Sequence, residues 1–269
     1  MAVTLRAQTA RAFDRIASDY HRSNTGNPIL RQMRDRVAAT LRRHVEPGSR
    51  VLDLGCGPGT DHASMIQAGY VVTAVDASSE MVRAALTRAA AAGQSDRVTV
   101  LQRPIEEIHA FTSAAFDAAF SNFGALNCVV DLDDTARALH RLLRPGGVLV
   151  ASLIGRVCPW EIGLYLCRGD LRRALVRFRR GMVAVPLGEG TVWMQYLTPR
   201  RLVRVFERAG FTCERRRALA LCAPPPYLEG FALRHPGMLA RLFAVDDRIG
   251  GWPLLRGTGD HFVVVFRRD

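Results

Sequence analysis

Lysine is missing from this chain: all 37 basic residues among its 269 are arginine, against 25 acidic ones, for a net charge of +12. Such a charge speaks to association with anionic partners and not to fold. A complete absence of lysine favours an arginine-rich composition over a dedicated anion site. No apolar run approaches the length that crosses a bilayer. Residues 1–15 carry charges where a secretory leader would have an apolar stretch, so a cytoplasmic protein is expected. The six cysteines (Cys56, Cys128, Cys158, Cys167, Cys213 and Cys222) include no CxxC or CxxH pair. That excludes a zinc cluster or disulfide framework of the usual spacing, and no metal is expected. There is no internal repeat and no low-complexity tail. With 48% hydrophobic residues, the composition suits one globular domain with an insertion.

What is present is an alternation of short apolar runs with helical patterns. Residues 5–20 predict a helix ending near Tyr20, and the turn-rich HRSNTGNP (21–28) predicts a loop. Met33, Val37 and Leu41 fall on one face of a helix over 29–44. Strands are expected at 50–54, 70–75, 98–102, 116–121 and 148–153, with helices at about 60–68, 79–92 and 133–143 between them. This order predicts βαβ units and a parallel sheet covered on both faces. The rhythm breaks over 156–195 and resumes with a helix at 200–209, a strand at 211–221, helical residues at 228–250 and a last strand at 261–266.

The first strand runs straight into Gly55-Cys56-Gly57-Pro58-Gly59 and a helix. Glycines there permit a tight turn and a close approach of backbone to ligand, while the helix start offers free N–H groups. Asp76 ends the next strand, about twenty residues on, where a carboxylate can accept both hydroxyls of a ribose.

The string VLDLGCGPGT (51–60) resembles the first motif of class I S-adenosylmethionine-dependent methyltransferases, and VTAVDASSEM (72–81) resembles their second. LLRPGGVLVAS (142–152) is similar to the turn and fifth strand that follow in that family. The resemblance covers residues 10–153 and is nearest to the small-molecule group that includes quinone and biotin-pathway enzymes. It implies an α/β fold: a Rossmann-like, doubly wound, mostly parallel seven-stranded sheet with an inserted lid. It implies cover helices at 1–45, a cofactor-binding core at 46–155, a substrate lid at 156–195 and completion of the sheet at 196–269. The cofactor would be S-adenosylmethionine. Gly55, Gly57 and Gly59, with Cys56 and Thr60 in the same loop, would cradle its methionine end, and Asp53 would orient the ammonium. Asp76 would take the ribose, and Ala77 and Met81 would line the adenine. Where relatives carry an acid after the third strand this chain has Pro104 and Ile105, so backbone near Ile105, or Glu106, would read the adenine. Asn122 and Phe123 follow the fourth strand and face the crevice, and Tyr20 would close over it.

Methyl transfer is an in-line displacement in which alignment and desolvation supply much of the rate. An oxygen acceptor often needs a base. Candidate bases are His261 and Asp260 in GDHF, His21 next to Tyr20, and Glu161 beside Trp160, each of which also suits a structural role. In the insert, Leu171, Ala174, Leu175 and Phe178 form one apolar stripe, with Arg168, Arg172, Arg173, Arg177, Arg179 and Arg180 around it. This predicts an amphipathic helix that packs on the core with a solvated basic face; contact with an anionic membrane surface is the competing reading. The expected activity is methyl transfer to an O, N or C centre of a small-molecule or lipid-like substrate. RNA or protein methylation, or cofactor binding without turnover, are the alternatives. No appended RNA-binding module is visible, which disfavours nucleic acid.

Overall fold

The computed structural model describes residues 2–112 and 114–269. A helix α1 (Ala2–Gly26) and a helix α2 (Pro28–His44) precede the sheet. The strands β1 (Arg50–Leu54), β2 (Val71–Asp76), β3 (Val98–Gln102), β4 (Phe116–Ser121) and β5 (Leu143–Ile154) pair in parallel in the order β3-β2-β1-β4-β5. The order continues through β9 (His261–Arg268) to β8 (Phe211–Leu219), with β9 antiparallel to both neighbours. The seven-stranded, mostly parallel α/β sheet is therefore the expected one.

Helices cover both faces because each strand buries apolar side chains alternately up and down. On one face Ile29, Met33, Val37 and Leu41 of α2 pack with Val82, Ala85 and Ala89 of α4 (Ser79–Ala91) over Val51, Phe120 and Val263. On the other face α5 (Leu132–Leu142) and α8 (Pro199–Arg208) bury Leu139, Leu202 and Phe206 against Leu52, Leu149 and Phe262. A short α3 (His62–Gln67) follows the glycine loop. The order of strands reverses between β1 and β4, which opens a crevice at their carboxyl ends.

Four local features differ from the expectation for identifiable reasons. The loop expected at 21–28 continues α1 as far as Gly26. Ser23, Asn24 and Thr25 donate their side chains to the carbonyls of Asp19, Tyr20 and His21, one turn back, so the polar groups bond along the helix instead of breaking it. Asn27 then caps α2, its Oδ1 accepting from Ile29 and Leu30.

The insert contains a β-hairpin of β6 (Val183–Leu187) and β7 (Gly190–Met194), joined through Gly188 and Glu189, where the sequence reading has no strand. Its pattern is too short and is interrupted by Pro186. The amphipathic lid helix is absent from the described residues. After α6 (Pro159–Cys167), only α7 (Leu171–Ala174) and a 3-10 turn at Val176–Phe178 form. Ala174 alone of the stripe is buried; Leu171, Leu175 and Phe178 face solvent at 63, 54 and 41% exposure. Arg177, expected on the solvated face, is instead buried at 9%. A guanidinium with four acceptors within reach is worth more to this segment than a continuous apolar stripe. The helical stretch 228–250 is two helices, α9 (Glu229–Arg234) and α10 (Pro236–Ile249), because Pro236 cannot continue the first.

Candidate active site

A cavity of about 330 Å³ lies over the carboxyl ends of β1, β2 and β4. Its floor is the glycine loop. Gly55 and Cys56 donate their N–H groups to Val75 O at 2.8 and 3.1 Å, which locks the loop onto β2. Gly57 N donates to Asp76 Oδ2 at 2.8 Å, and Ser78 N donates to Asp76 Oδ1 at 2.9 Å. Gly55 and Gly57 have φ of +74° and +54°, which a side chain rarely adopts. A Cβ on Gly57 would touch nothing nearer than the Tyr20 ring at 3.9 Å, so the space it would fill belongs to the cavity.

Asp76 is pushed up to about 6 by burial, partly offset by the two backbone donors. Each of its oxygens keeps a second lone pair for a ligand hydroxyl. Ser78 caps α4 by accepting from Met81 N, and its hydroxyl donates to Asp14 of α1 at 2.6 Å. That contact draws α1 over the crevice, so Arg6, Thr9, Ala10, Phe13 and Tyr20 form one wall. Val185, Leu187, Val192 and Met194 of the hairpin form the facing wall.

Of the residues singled out in the sequence, Tyr20, Gly55, Gly57, Asp76, Ala77, Met81, Pro104, Ile105, Asn122 and Phe123 all line this cavity, as does Glu106. Four do not. Asp53 lies behind the loop with Oδ2 on His62 Nε2 at 3.1 Å, both residues buried. Gly59 backs onto the His62 ring. Thr60 Oγ1 meets His21 Nδ1 at 3.1 Å. The Cys56 thiol lies against Gly57 O, its pKa pushed up by burial beside Asp76 and Asp53. Tyr20 is the part of the α1 wall that the resemblance implied; Arg6, Thr9, Ala10, Phe13 and the hairpin wall went unseen, because nothing local in either segment marks which face the sheet will meet.

Asn122 ties the ends of the strands together. Its Oδ1 accepts from Phe123 N and from Ser152 Oγ, both at 2.9 Å, and its Nδ2 donates to Asp61 Oδ2 at 3.2 Å. Arg34 of α2 pairs with the same Asp61 oxygen at 2.7 Å and stacks 4.7 Å from the Phe123 ring centre. Phe123 is held at φ +50°, a strained setting for an aromatic residue. The Phe123 and His261 rings pack in a T-shape, with centroids 5.7 Å apart. Phe123 thus stands between the cavity and His261.

His261 and Glu161 come together across a buried ionic knot, while His21 lies apart from them against Thr60. Arg177 donates Nη2 to Glu161 and, at 2.7 Å, to Asp260 Oδ1, and Nη1 to the carbonyls of Gly155 and Asp260 at 3.1 and 3.0 Å. Asp260 Oδ2 accepts from His261 Nδ1 at 2.9 Å. Burial alone would raise the Asp260 carboxyl; Arg177 and His261 more than reverse this and hold it well below the carboxylate range. Cys158, Glu161 and Asp260 cluster closely enough to hold an ion, but the guanidinium of Arg177 already supplies their cation. The Cys158 thiol is pushed up to about 12 by burial and Asp260.

The strand order, the glycine turn at the switch point and the acid one strand over are the arrangement expected from the resemblance to class I S-adenosylmethionine-dependent methyltransferases. Residues 52–151 match the family model described as "Methyltransferase domain". The chain is 35% identical over 145 residues to the demethylmenaquinone methyltransferase of Clavibacter sepedonicus, a match covering 53% of this chain and 56% of that one. It is 37% identical over 147 residues to the malonyl-[acyl-carrier protein] O-methyltransferase of Enterobacter lignolyticus (strain SCF1), covering 54% and 53%. The chain thus matches about half the length of these curated relatives. Among solved structures, a SAM-dependent methyltransferase from Methanosarcina mazei superposes with a TM-score of 0.60 at 20% identity, over 85% of this chain and 96% of that one.

Proposed function

We propose that this chain transfers a methyl group from S-adenosylmethionine to an O, N or C centre of a small-molecule or lipid-like acceptor. The observation that carries this reading is the single cavity in which the open Gly57 backbone, the Asp76 carboxylate and the Asn122 network converge. When bound, the cofactor supplies a methyl group activated by a sulfonium. Gly55 and Gly57 hold its amino-acid end, Asp76 its ribose, and Ala77, Met81, Pro104, Ile105 and Glu106 its adenine. Tyr20 and the α1 wall exclude water, which strengthens every polar contact inside. Asp53 and Gly59 act from behind, by fixing His62 under the loop.

The acceptor approaches from the far side of Phe123. There His261 is the base this reading favours, because Asp260 accepts a hydrogen bond from its Nδ1–H and leaves the Nε2 lone pair free. Glu161 is committed to Arg177 and His21 to Thr60, so neither is assigned the proton. The homologues are named for quinone and acyl-carrier substrates, which supports an acceptor of that general kind. The free thiols suit a reducing compartment such as the cytoplasm. The experiment is calorimetry with S-adenosylmethionine and its demethylated product. Both bind the full chain, and Asp76→Ala loses both. Preferential binding of a nicotinamide dinucleotide, or unchanged affinity in Asp76→Ala, would overturn the assignment. A screen with labelled methyl donor then identifies the acceptor.

A further inference from the structure

The surface of residues 166–180 departs from ordinary protein exterior. Leu166, Leu171, Leu175 and Phe178 are exposed within fifteen residues, Leu171 and Leu175 one helical turn apart with Ala174 turned inward. Single exposed apolar residues need no explanation, but a cluster of four in one segment does. Arg168, Arg172, Arg173, Arg179 and Arg180 are exposed around them. The segment's own acids leave most of that charge unanswered. Asp170 pairs with Arg173 and caps α7, and Glu161 is buried on Arg177. Arg168, Arg172, Arg179 and Arg180 have no ion-pair partner among the described residues.

The segment is also firmly held. The buried Arg177 knot fixes its centre to Gly155, just after β5, and Asp260, just before β9, and Arg156 donates to Phe178 O. Rigid backing with apolar tips and unpaired cations is the pattern of a protein that sits on a charged interface. We infer that the face formed by residues 166–180 docks on an anionic lipid bilayer. The leucines and Phe178 enter the headgroup boundary while the arginines meet lipid phosphates. Two exposed aromatic residues stand beside it: Trp160, whose Nε1 donates to Cys222 O, and Tyr227. Arg177 joins this face to Asp260, and Asp260 to His261, so the docked side and the proposed acceptor side are one structural unit. That a greasy acceptor enters here rests on the methyl-transfer reading; the docking itself does not.

The test sediments the full chain with vesicles of phosphatidylcholine alone, and with vesicles in which one third is phosphatidylglycerol. Binding to the second and not to the first is expected, weakening as salt rises. Arg172→Gln and Arg179→Gln each lower the partition about fivefold, the factor carried by one arginine near an anionic surface. The Leu171→Glu/Leu175→Glu double variant loses binding while its affinity for S-adenosylmethionine, read by calorimetry, stays that of the parent. No sedimentation with anionic vesicles overturns the inference. So does a leucine variant that binds like the parent while the arginine variants fail, since that marks a polyanion site such as one for RNA. A lipid-free dimer that the leucine variant dissociates also overturns it, because the face then belongs to a second copy. A chain that sediments but does not bind S-adenosylmethionine would sink the functional reading and leave this one standing.

Discussion

Lowering the pH from 7 to 5 should weaken S-adenosylmethionine binding through one residue, Asp76. Its carboxylate is pushed up to about 6 by burial, with Asp53 and Asp14 adding to the rise and the N–H groups of Gly57 and Ser78 opposing it. The ribose hydroxyls donate, so the ionised form is the one that accepts both. The affinity is therefore present above pH 6 and lost as pH falls through it. With a pKa near 6, the ionised fraction drops about tenfold between pH 7 and pH 5, which corresponds to about 1.4 kcal/mol. The stability of the ligand-free protein runs the other way. A raised carboxyl binds its proton more tightly folded than unfolded, so its contribution falls as pH rises from the usual aspartate range through 6. The ligand-induced rise in melting temperature should thus grow from pH 5 to 7 while the free protein gains nothing from Asp76. Titration calorimetry across that range, repeated on Asp76→Asn, is the assay. His21, which burial and Arg88 push below its usual value, lies by Thr60 in the same loop region; the asparagine variant separates the two. An affinity that is flat from pH 5 to 7 refutes the argument, as does an Asp76→Asn variant that keeps the slope.

Replacing Arg177 by Met strands the Glu161 and Asp260 carboxylates in a buried site, a loss of about 3–5 kcal/mol. For a chain this size that is a fall of about 6–10 °C in melting temperature by calorimetry, at about 2 °C per kcal/mol; a change of a degree or less would mean the knot is not buried as described. Gly57→Ala places a methyl in the cavity while meeting only Tyr20 at 3.9 Å, so S-adenosylmethionine affinity drops at least tenfold for a stability cost of about 1–2 kcal/mol from the positive φ. Equal affinity in that variant would show that the ligand does not lie against Gly57.

The parts that were legible in the sequence are those fixed by local chemistry. A five-residue apolar strand feeding GCGPG can do little other than turn sharply at a sheet end, and an aspartate closing the next strand falls beside it by parallel pairing, Leu54 opposite Val75. Ten of the fourteen named cofactor residues line the cavity because they follow the ends of adjacent strands or top the helices behind them. Asp53 shows where this logic stops. Its place on β1 was readable, but alternation along the strand and the arrival of His62 nine residues later turned its carboxylate under the loop. The insert was misread for a related reason. Helical spacing of Leu171, Ala174, Leu175 and Phe178 assumes that the core rewards the stripe, whereas the core rewarded Arg177, whose partners Glu161, Gly155 and Asp260 lie up to 83 residues away in sequence. No periodicity reports a contact of that range.

The insert also turns out to be two devices with different attachments. Residues 159–180 are tied through Arg177 to Gly155 and Asp260, which flank β5 and β9 on the side of His261. The hairpin 183–194 is tied to α1. Trp193 N donates to Thr9 Oγ1 at 3.0 Å, the Trp193 indole donates to Gln8 Oε1 at 2.6 Å, and Arg15 donates to Glu189 O at 2.9 Å. Gly190 lies so close to α1 that a Cβ would stand 2.7 Å from that of Ala12. Opening the cofactor cavity therefore means lifting α1 and the hairpin together, away from the Asp14 contact at the start of α4. The first piece is not independent of this roof, because Val176 packs against the Val183, Met194 and Tyr196 cluster and Arg177 lies over the Tyr196 ring.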